Sequence, residues 1–150
     1  MLKPLEEWIC DVCGDVIPSA EKGYVIWQTD NDLRPYNFKI IHQGRCDLKH
    51  FNSSWELQGF LGDFGICHLL TFLTPGPIKR RLGDNGKDSP KNIDEFVDFF
   101  RRVQTPYYEE ARRRFANHQL LEDNSDENQL APYLPKNLRK IIEDYDINSD

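Results

Sequence analysis

Apolar residues occur in short runs in the first third of the chain, and in a longer segment and at helical spacing in the remainder. Tyr24–Gln28 and Phe38–Ile41 are short runs rich in β-branched and aromatic residues, which favour strands. The sequence between them, TDNDLRPYN, consists mostly of turn formers. The first third is therefore predicted to contain a β-hairpin.

The most apolar part of the chain follows, from Trp55 to Leu73. Ser53 and Ser54 precede it as candidate N-caps of a helix. Three glycines recur at every third position within it, and each costs a helix about 0.8 to 1.0 kcal/mol relative to alanine. We therefore predict two short helices separated near Gly62 and Asp63. The glycines are Gly59, Gly62 and Gly65.

Cys67 and His68 lie side by side in this apolar part. A free cysteine is among the residue types most often buried, so Cys67 is predicted to lie in the core. His68 is predicted to be a hydrogen-bonded histidine in the core or at its boundary.

Three further helices are predicted in the second half of the chain. The first is capped by Asn92, and its apolar residues recur at helical spacing: Ile93, Phe96, Val97, Phe100 and Val103. The second begins at Pro106, with Thr105 as its cap. The third extends from about Pro135 to Tyr145.

Four residues in the first third have the spacing of a metal site built from two short ligand pairs. Cys10 and Cys13 form a C-x-x-C-G motif with Gly14, and His42 and Cys46 form an H-x-x-x-C motif. The 28 residues between the pairs include the predicted hairpin, which would bring the second pair back beside the first. Thiolate and imidazole ligands in this arrangement are typical of tetrahedral structural zinc sites. The sequence therefore predicts a Cys3His zinc site.

This part of the chain resembles zinc-ribbon and treble-clef zinc domains. These domains combine a C-x-x-C-G knuckle, a β-hairpin and a second ligand pair at a knuckle or at the start of a helix. The resemblance extends from about Trp8 to Phe51. It implies a structural metal ion, and such modules serve nucleic-acid binding, protein contacts and scaffolding alike.

Two alternatives at this site stay open. His50 lies four residues after Cys46 and would share a helix face with it if a helix began near Asp47. His42 is favoured because it ends a predicted strand and shares a short glycine-containing turn with Cys46. A redox or free-thiol role for the first two cysteines is disfavoured, because their C-x-x-C pair is followed by glycine, aspartate and a proline turn rather than by a helix.

Together these predictions give an α+β fold. Residues 1–51 are expected to form a zinc-knuckle β-hairpin subdomain, packed on a predominantly α-helical part, residues 52–150, in one compact unit. Within the helical part, residues 79–92 are predicted to be an exposed loop and residues 122–129 an acidic loop. The apolar fraction of 39%, with three tryptophans and nine phenylalanines, suffices for a core of ordinary size.

The net charge of −6 argues against a surface devoted entirely to nucleic acid. The charge is uneven, however, because residues 79–121 contain 10 basic and 7 acidic residues while the segments on either side are acidic. Nucleic acid therefore remains a possible partner through this middle region. The cations that would meet phosphate are Lys79, Arg80, Arg81 and Arg112.

Charges on the two middle helices are also spaced to pair with one another. The pairs four residues apart are Glu109 with Arg113, Glu110 with Arg114, and Asp98 with Arg102. This spacing favours a salt-bridged solvent face over a nucleic-acid face, so an unknown protein partner is favoured.

No sequence feature specifies a reaction, because a nucleophilic triad, a phosphate-binding loop, an H-E-x-x-H helix and a dinucleotide fingerprint are all absent. We expect a small soluble zinc-binding protein that acts as an interaction module. The alternative is a transcription-related nucleic-acid-binding module that uses residues 79–114. A second alternative is a treble-clef metal-dependent nuclease, with His42 or His50 as its base and Asp47 or Asn52 as helpers.

The N-terminal sequence MLKPLEEWIC has an acidic pair where a signal peptide would have its apolar stretch. No segment approaches the roughly 20 apolar residues needed to span a bilayer. We therefore expect a cytoplasmic protein without membrane contact. A reducing compartment also favours metal binding over disulfides for the four cysteines.

Overall fold

The computed structural model describes residues 1–84 and 89–147, and within them the fold is α+β, as predicted. The strands are β1 (Trp8–Ile9), β2 (Val16–Ile17), β3 (Gly23–Thr29), β4 (Pro35–His42) and β5 (Ser53–Glu56). The α-helices are α1 (Gly62–Thr71), α2 (Gly76–Arg81), α3 (Ile93–Gln104), α4 (Tyr108–Ala111), α5 (His118–Asp123) and α6 (Pro135–Asp144). Short 3-10 helices are Ala20–Lys22, Leu57–Phe60, Arg112–Arg114 and Ala131–Tyr133.

A three-stranded antiparallel sheet in the order β4-β3-β5 contains the predicted hairpin. Both predicted strands are confirmed. The prediction that Ser53 and Ser54 cap a helix is wrong, since both lie in β5, where they pair with Trp27 and Ile26. Serine suits a helix cap and a solvent-facing edge strand equally, and only the pairing with β3 decides between them.

The apolar segment is interrupted next to Gly62, close to the predicted position. Leu61 has an extended backbone there, between the 3-10 helix Leu57–Phe60 and α1. His68 lies at the core boundary, where its Nδ1 is 2.8 Å from the carbonyl oxygen of Gly59 and its ring stacks on Phe60. The prediction for Cys67 is wrong, because its side chain is exposed. The helix turns Gly65 and Leu69 towards the core, which leaves Cys67 on the outer side.

Later helices match the predictions at their starts, with one exception. Asn92 caps α3 by accepting a hydrogen bond from the amide of Glu95, and α6 begins at Pro135. Helix α4 begins at Tyr108 rather than at Pro106, after Tyr107 takes a left-handed backbone with φ of 72°.

Two predicted loops differ in part from the structure. Residues 79–81 belong to α2 instead of a loop, although they are exposed as expected, and residues 85–88 of that loop lie outside the described part of the chain. Glu122 and Asp123 end α5, and the acidic loop begins after them. The predicted division at residue 51 stays a prediction, although β5, which follows it, completes the sheet.

The core has two parts. The first lies between the three-stranded sheet and helices α1 and α3, and it is built largely from stacked and edge-to-face aromatic rings. Its aromatic members include Trp27, Phe38, Phe60, Phe96 and Phe99. The second is formed by the C-terminal helices around Tyr108, Ala111, Leu120, Leu138 and Ile141. Among the described residues, no helix is long and apolar enough to cross a bilayer, and the cytoplasmic location stays a prediction.

Arg102, on the buried side of α3, connects the β1–β2 hairpin to the helices. Its guanidinium donates to both carboxylate oxygens of Glu109, at 2.7 and 2.8 Å, and to Asp11 Oδ2 at 2.7 Å. It also donates to the carbonyl of Ile9 at 3.2 Å. The backbone carbonyl of Arg102 accepts a hydrogen bond from the indole nitrogen of Trp8 at 3.0 Å. Arg102 thus contacts three residues of the N-terminal hairpin, two through its buried cation and one through its backbone.

The two carboxylates in this network also accept hydrogen bonds from strand backbone. Asp11 Oδ2 accepts from the amide of Ile40 on β4 at 2.7 Å, and Glu109 Oε1 accepts from the amide of Ile9 at 3.1 Å. Burial alone would lower the pKa of Arg102, but the charges of Glu109 and Asp11 outweigh burial and raise it. The guanidinium therefore stays charged in the interior.

The predicted pairing of charges along one helix face is only partly right. The observed ion pairs among these residues are Glu110 with Arg113 and Arg114, Glu109 with Arg102, and Asp98 with Arg112. Glu109, Glu110, Arg102 and Arg114 are buried rather than facing solvent. The chain reverses at the left-handed Tyr107, so that Arg102 meets Glu109, 7 residues away, and Asp98 meets Arg112, 14 residues away.

Replacing Arg102 with alanine would leave the buried carboxylate of Glu109 and the partly buried carboxylate of Asp11 without their cation. We expect Arg102→Ala to lower the free energy of unfolding by about 3 to 5 kcal/mol, because an uncompensated buried charge is costly. Arg139→Ala is the control, since it removes only an exposed pair with Glu143 at 3.4 Å and should cost less than about 1 kcal/mol. Denaturant unfolding of both variants provides the measurement, and equal losses would contradict a bridging role for Arg102.

Candidate metal centre

The structure brings together all four residues of the predicted metal site. Cys10 follows β1, Cys13 lies in the turn before β2, His42 is the last residue of β4, and Cys46 lies in the loop after it. The sulfur and ring-nitrogen atoms of the four side chains lie within 4.8 Å of one another, so they can hold one metal ion. The predicted hairpin explains why the four residues lie together, because β4 brings His42 and Cys46 back beside Cys10 and Cys13.

Two glycines shape the loops that contain the cysteines. Gly14 has φ of 78° and Gly44 has φ of 85°, which are left-handed values that other residues rarely adopt. Neither glycine has a neighbour within 4 Å of where a Cβ would lie. Backbone conformation rather than lack of space is therefore the reason for glycine at these two turns.

Distances within the group are compatible with tetrahedral coordination. His42 Nδ1 is 3.4 Å from the sulfur of Cys13 and 3.8 Å from that of Cys46. An ion with metal–sulfur bonds of about 2.3 Å and a metal–nitrogen bond of about 2.0 Å separates its tetrahedral ligands by about 3.5 to 3.8 Å. The side chains therefore need little movement to surround one ion.

The ring of His42 is held with Nδ1 towards the sulfurs. Its Nε2 lies 3.1 Å from the carbonyl oxygen of Val16, which only accepts hydrogen bonds, so Nε2 carries the proton and donates. Nδ1 then keeps its lone pair for a metal ion. Ligating histidines commonly have such a second partner, which sets the tautomer and the ring orientation.

The thiols differ strongly in their tendency to ionise. Burial by itself raises the pKa of Cys10, but hydrogen bonds from the amides of Cys13 and Val12 outweigh it and lower the pKa to about 6. Burial, together with the neighbouring Cys10 and Cys13, raises the pKa of Cys46 to about 11. The Cys46 thiol therefore does not ionise readily unless a cation lies beside it.

His50, the alternative to His42, is exposed and does not belong to the group. The alternative required a helix from about Asp47, which would place Cys46 and His50 on one face. Residues 47–52 instead form turns and irregular loop. The geometry therefore favours His42.

Among the predicted phosphate contacts, Lys79, Arg80 and Arg81 are exposed on α2 and form no ion pair within the described part of the chain. Arg112 is bound to Asp98 at 2.8 Å. Burial raises the pKa of Asp98, but the hydrogen bond and charge of Arg112 outweigh burial and hold that pKa below its usual range.

No family model matches the chain, and no curated protein or solved structure matches it significantly.

Several residues around the centre have no signal in the sequence. Asp11 lies between the first two cysteines, yet nothing in its position indicates the contact with Arg102 on α3. The carbonyl of Val16, which orients His42, belongs to a strand of only two residues. Only the location of Asp11 within the C-x-x-C motif could have drawn attention to it.

Replacing His42 or His50 with alanine shows which of the two histidines binds the metal ion. We expect His42→Ala to reduce bound metal, measured by elemental analysis of the purified protein, and to weaken metal affinity by at least about tenfold, because one of four ligands is lost. His50→Ala should retain metal at the level of the unmodified protein. The reverse result would assign the ligand to His50.

Proposed function

We propose that the protein is a zinc-stabilised binding module, in which a Cys3His site holds the N-terminal hairpins together and the surface binds a protein partner. The observation that carries this proposal is the convergence of four potential ligands, from two loops far apart in sequence, within 4.8 Å. Convergence of this kind is how small structural zinc sites are assembled.

The donor set suits zinc better than the common hard cations. Calcium and magnesium prefer oxygen ligands, whereas zinc is commonly bound by thiolates and imidazoles. Three sulfurs and one ring nitrogen form one of the usual ligand sets of structural zinc. Zinc would also supply the positive charge that allows the three thiols to ionise together.

A structural role is better supported than a catalytic one. Four protein ligands complete a tetrahedral shell, whereas catalytic zinc usually keeps one position for water or substrate. Cys10, His42 and Cys46 are buried, and only Cys13 is exposed. The nuclease alternative has little support, because His42 would be a ligand and the exposed His50 and Asp47 lie outside the group.

The local architecture also supports the resemblance to zinc ribbons. A C-x-x-C-G turn between β1 and β2, followed by the β3–β4 hairpin and a second ligand pair in a glycine-containing turn, follows that arrangement. The treble-clef variant with a helix at the second pair is less well supported, because residues 47–52 are not helical.

A protein partner is favoured over nucleic acid by overall charge and by the surface. The chain has a net charge of −6, and Arg112, one of the four predicted phosphate contacts, is already bound to Asp98. The three exposed cations of α2 keep nucleic acid as the second candidate. Steep loss of DNA or RNA affinity with rising salt would support that second candidate.

Removing the metal tests the structural role. We expect about one zinc per chain in protein purified without added metal. A chelator should lower the free energy of unfolding by about 4 kcal/mol, which corresponds to free zinc a thousandfold above its dissociation constant. Elemental analysis and denaturant unfolding measure these quantities.

Two cysteine variants provide the matched comparison. Cys46→Ser should lose zinc and stability, whereas Cys67→Ser should retain both, since Cys67 is exposed and outside the group. A zinc content near zero in the unmodified protein, or no effect of chelation on unfolding, would contradict the structural role.

Affinity purification of the tagged full-length protein tests the binding role. We expect a protein to be retained in stoichiometric amount after nuclease treatment, and to be lost with Cys46→Ser but not with Cys67→Ser, because the surface depends on the folded hairpins. Mass spectrometry and gel densitometry measure the retained protein. Retention of nucleic acid instead, in a parallel purification without nuclease, or of nothing beyond the Cys46→Ser background, would contradict a protein-binding role.

A further inference from the structure

Helices α1 and α3 lie side by side in opposite directions. The amide of Gln104, the last residue of α3, donates to the carbonyls of Phe60 and Gly62 at the start of α1, at 2.8 and 3.1 Å. At the other end, Leu73, just after α1, lines the same groove as Ile93, the first residue of α3. The two helices thus border one groove along their length.

Both helices present an apolar stripe beside this groove. Each stripe has the spacing i, i+4, i+7, which keeps its members on one helix face. The stripes are Ile66, Leu70 and Leu73 from α1, and Ile93, Val97 and Phe100 from α3. Four of the six side chains are between 37% and 56% exposed, and the other two are half-buried. Leu73, Ile93, Val97 and Phe100 line a cavity of about 370 Å³, and Ile66 and Leu70 continue the apolar face of Leu73 along α1. We call these six residues, with the cavity beside them, the α1–α3 groove.

The position of the apolar residues on α1 has no explanation within the fold. Only Gly65 and Leu69 of its ten residues are buried, while the apolar Ile66 and Leu70 are exposed. A helix that served the core alone would have polar residues at those positions. A contiguous exposed apolar surface of this kind is characteristic of a binding site.

The dimensions of the groove suit a short helix. The 10 residues of α1 and the 12 residues of α3 correspond to lengths of about 15 and 18 Å. That length accepts about three turns of a helix, with anchoring side chains at i, i+3 or i+4, and i+7. Binding of an amphipathic helix in a groove is a recurring mode of peptide recognition.

Cations border the groove and indicate the charge of its occupant. Arg80 donates to the hydroxyl of Thr74, the residue that follows Leu73, at 3.4 Å. Arg101 lines the cavity itself, with its guanidinium 4.0 Å from the ring centre of Tyr133. Neither arginine has a carboxylate partner in the part of the chain described here.

Further charges nearby are unevenly distributed. Lys79 and Arg81 add to the positive charge on α2, directly after the end of α1. The exposed carboxylates Asp63 and Asp94 lie in the first turns of α1 and α3, at opposite ends of the groove because the helices are antiparallel. The cations of α2 therefore follow the end of the groove that contains Leu73, whereas Arg101 is in the last turn of α3, towards the opposite end.

We propose that the α1–α3 groove binds an acidic amphipathic helix of a partner protein. Apolar side chains of that helix would contact the two stripes, and its carboxylates would pair with Arg80, Arg101 and the other cations of α2. This inference rests on the proposed binding function and names the surface and the chemistry of the partner. Nucleic acid is less well matched, because it would leave the apolar stripes uncovered.

Two synthetic 16-residue peptides test the proposal on the full-length, zinc-loaded protein. The acidic peptide has leucines at i, i+4 and i+7 with glutamates and alanines elsewhere, and the basic peptide has lysines in place of the glutamates. Fluorescence anisotropy of labelled peptides measures binding. We expect the acidic peptide to bind with a dissociation constant of about 1 to 100 μM and the basic peptide to bind at least about tenfold more weakly.

Variants of the protein localise the binding. Leu70→Glu should weaken acidic-peptide binding by at least about tenfold, and Leu130→Glu should have no effect, since Leu130 is 67% exposed and lies outside the groove. The triple variant Lys79→Glu, Arg80→Glu, Arg81→Glu should weaken binding about tenfold and reduce its salt dependence. Unchanged zinc content and circular dichroism in each variant show that the fold is retained.

Several results would overturn the proposal. These are absence of acidic-peptide binding, equal binding of both peptides, or binding that Leu70→Glu leaves unchanged. Sedimentation with vesicles of 30% anionic lipid that Leu70→Glu abolishes would assign the surface to a membrane instead. A concentration-dependent dimer that Leu70→Glu dissociates would assign it to a second copy of the chain.

The affinity purification described above separates this inference from the broader one. If Leu70→Glu still retains the same protein in stoichiometric amount, the groove is not its binding surface and the binding function stands. If instead the unmodified protein retains no protein, both proposals fail.

Discussion

The contacts of Arg102 are the interaction on which the arrangement of the molecule depends. Its guanidinium binds Glu109 beside it and reaches Asp11 and Ile9 in the N-terminal hairpin. Because charge in the protein interior is tolerated only when it is paired and hydrogen-bonded, these groups restrict one another to a single geometry. The position of the hairpin relative to α3 follows from that geometry, as does the direction in which the chain leaves α3.

Asp11 joins this network to the candidate metal centre. It lies between Cys10 and Cys13, and the oxygen that binds Arg102 also accepts from the amide of Ile40, two residues before His42. Both halves of the four-residue group are therefore held by one carboxylate as well as by any ion they bind. The centre and the ionic network support each other, and together they orient the helices that border the α1–α3 groove.

The sequence was sufficient to predict the features that depend on local patterns. The two main strands, the cap at Asn92, the start of α6 and the grouping of Cys10, Cys13, His42 and Cys46 follow from residue type and spacing, and the structure has them. The features that sequence reasoning missed depend on distant contacts. Ser53 and Ser54 form a strand because they pair with the edge of β3. Arg102 binds Asp11 and Glu109 instead of Asp98, which is nearer in the sequence, because the chain reverses at Tyr107.

The long sequence separation between the residues of the Arg102 network has a consequence for folding during synthesis. Asp11 and Arg102 are 91 residues apart, and Ile9 and Glu109 are 100 residues apart. At a synthesis rate of about 5 to 20 residues per second, roughly 5 to 20 seconds separate the emergence of one partner from that of the other. During that interval the nascent N-terminal segment is without this ionic network, and its strand pairing and cysteine-histidine cluster are the polar interactions that can organise it. Capture of an ion at this early stage would shorten the search for long-range contacts, which otherwise slows folding.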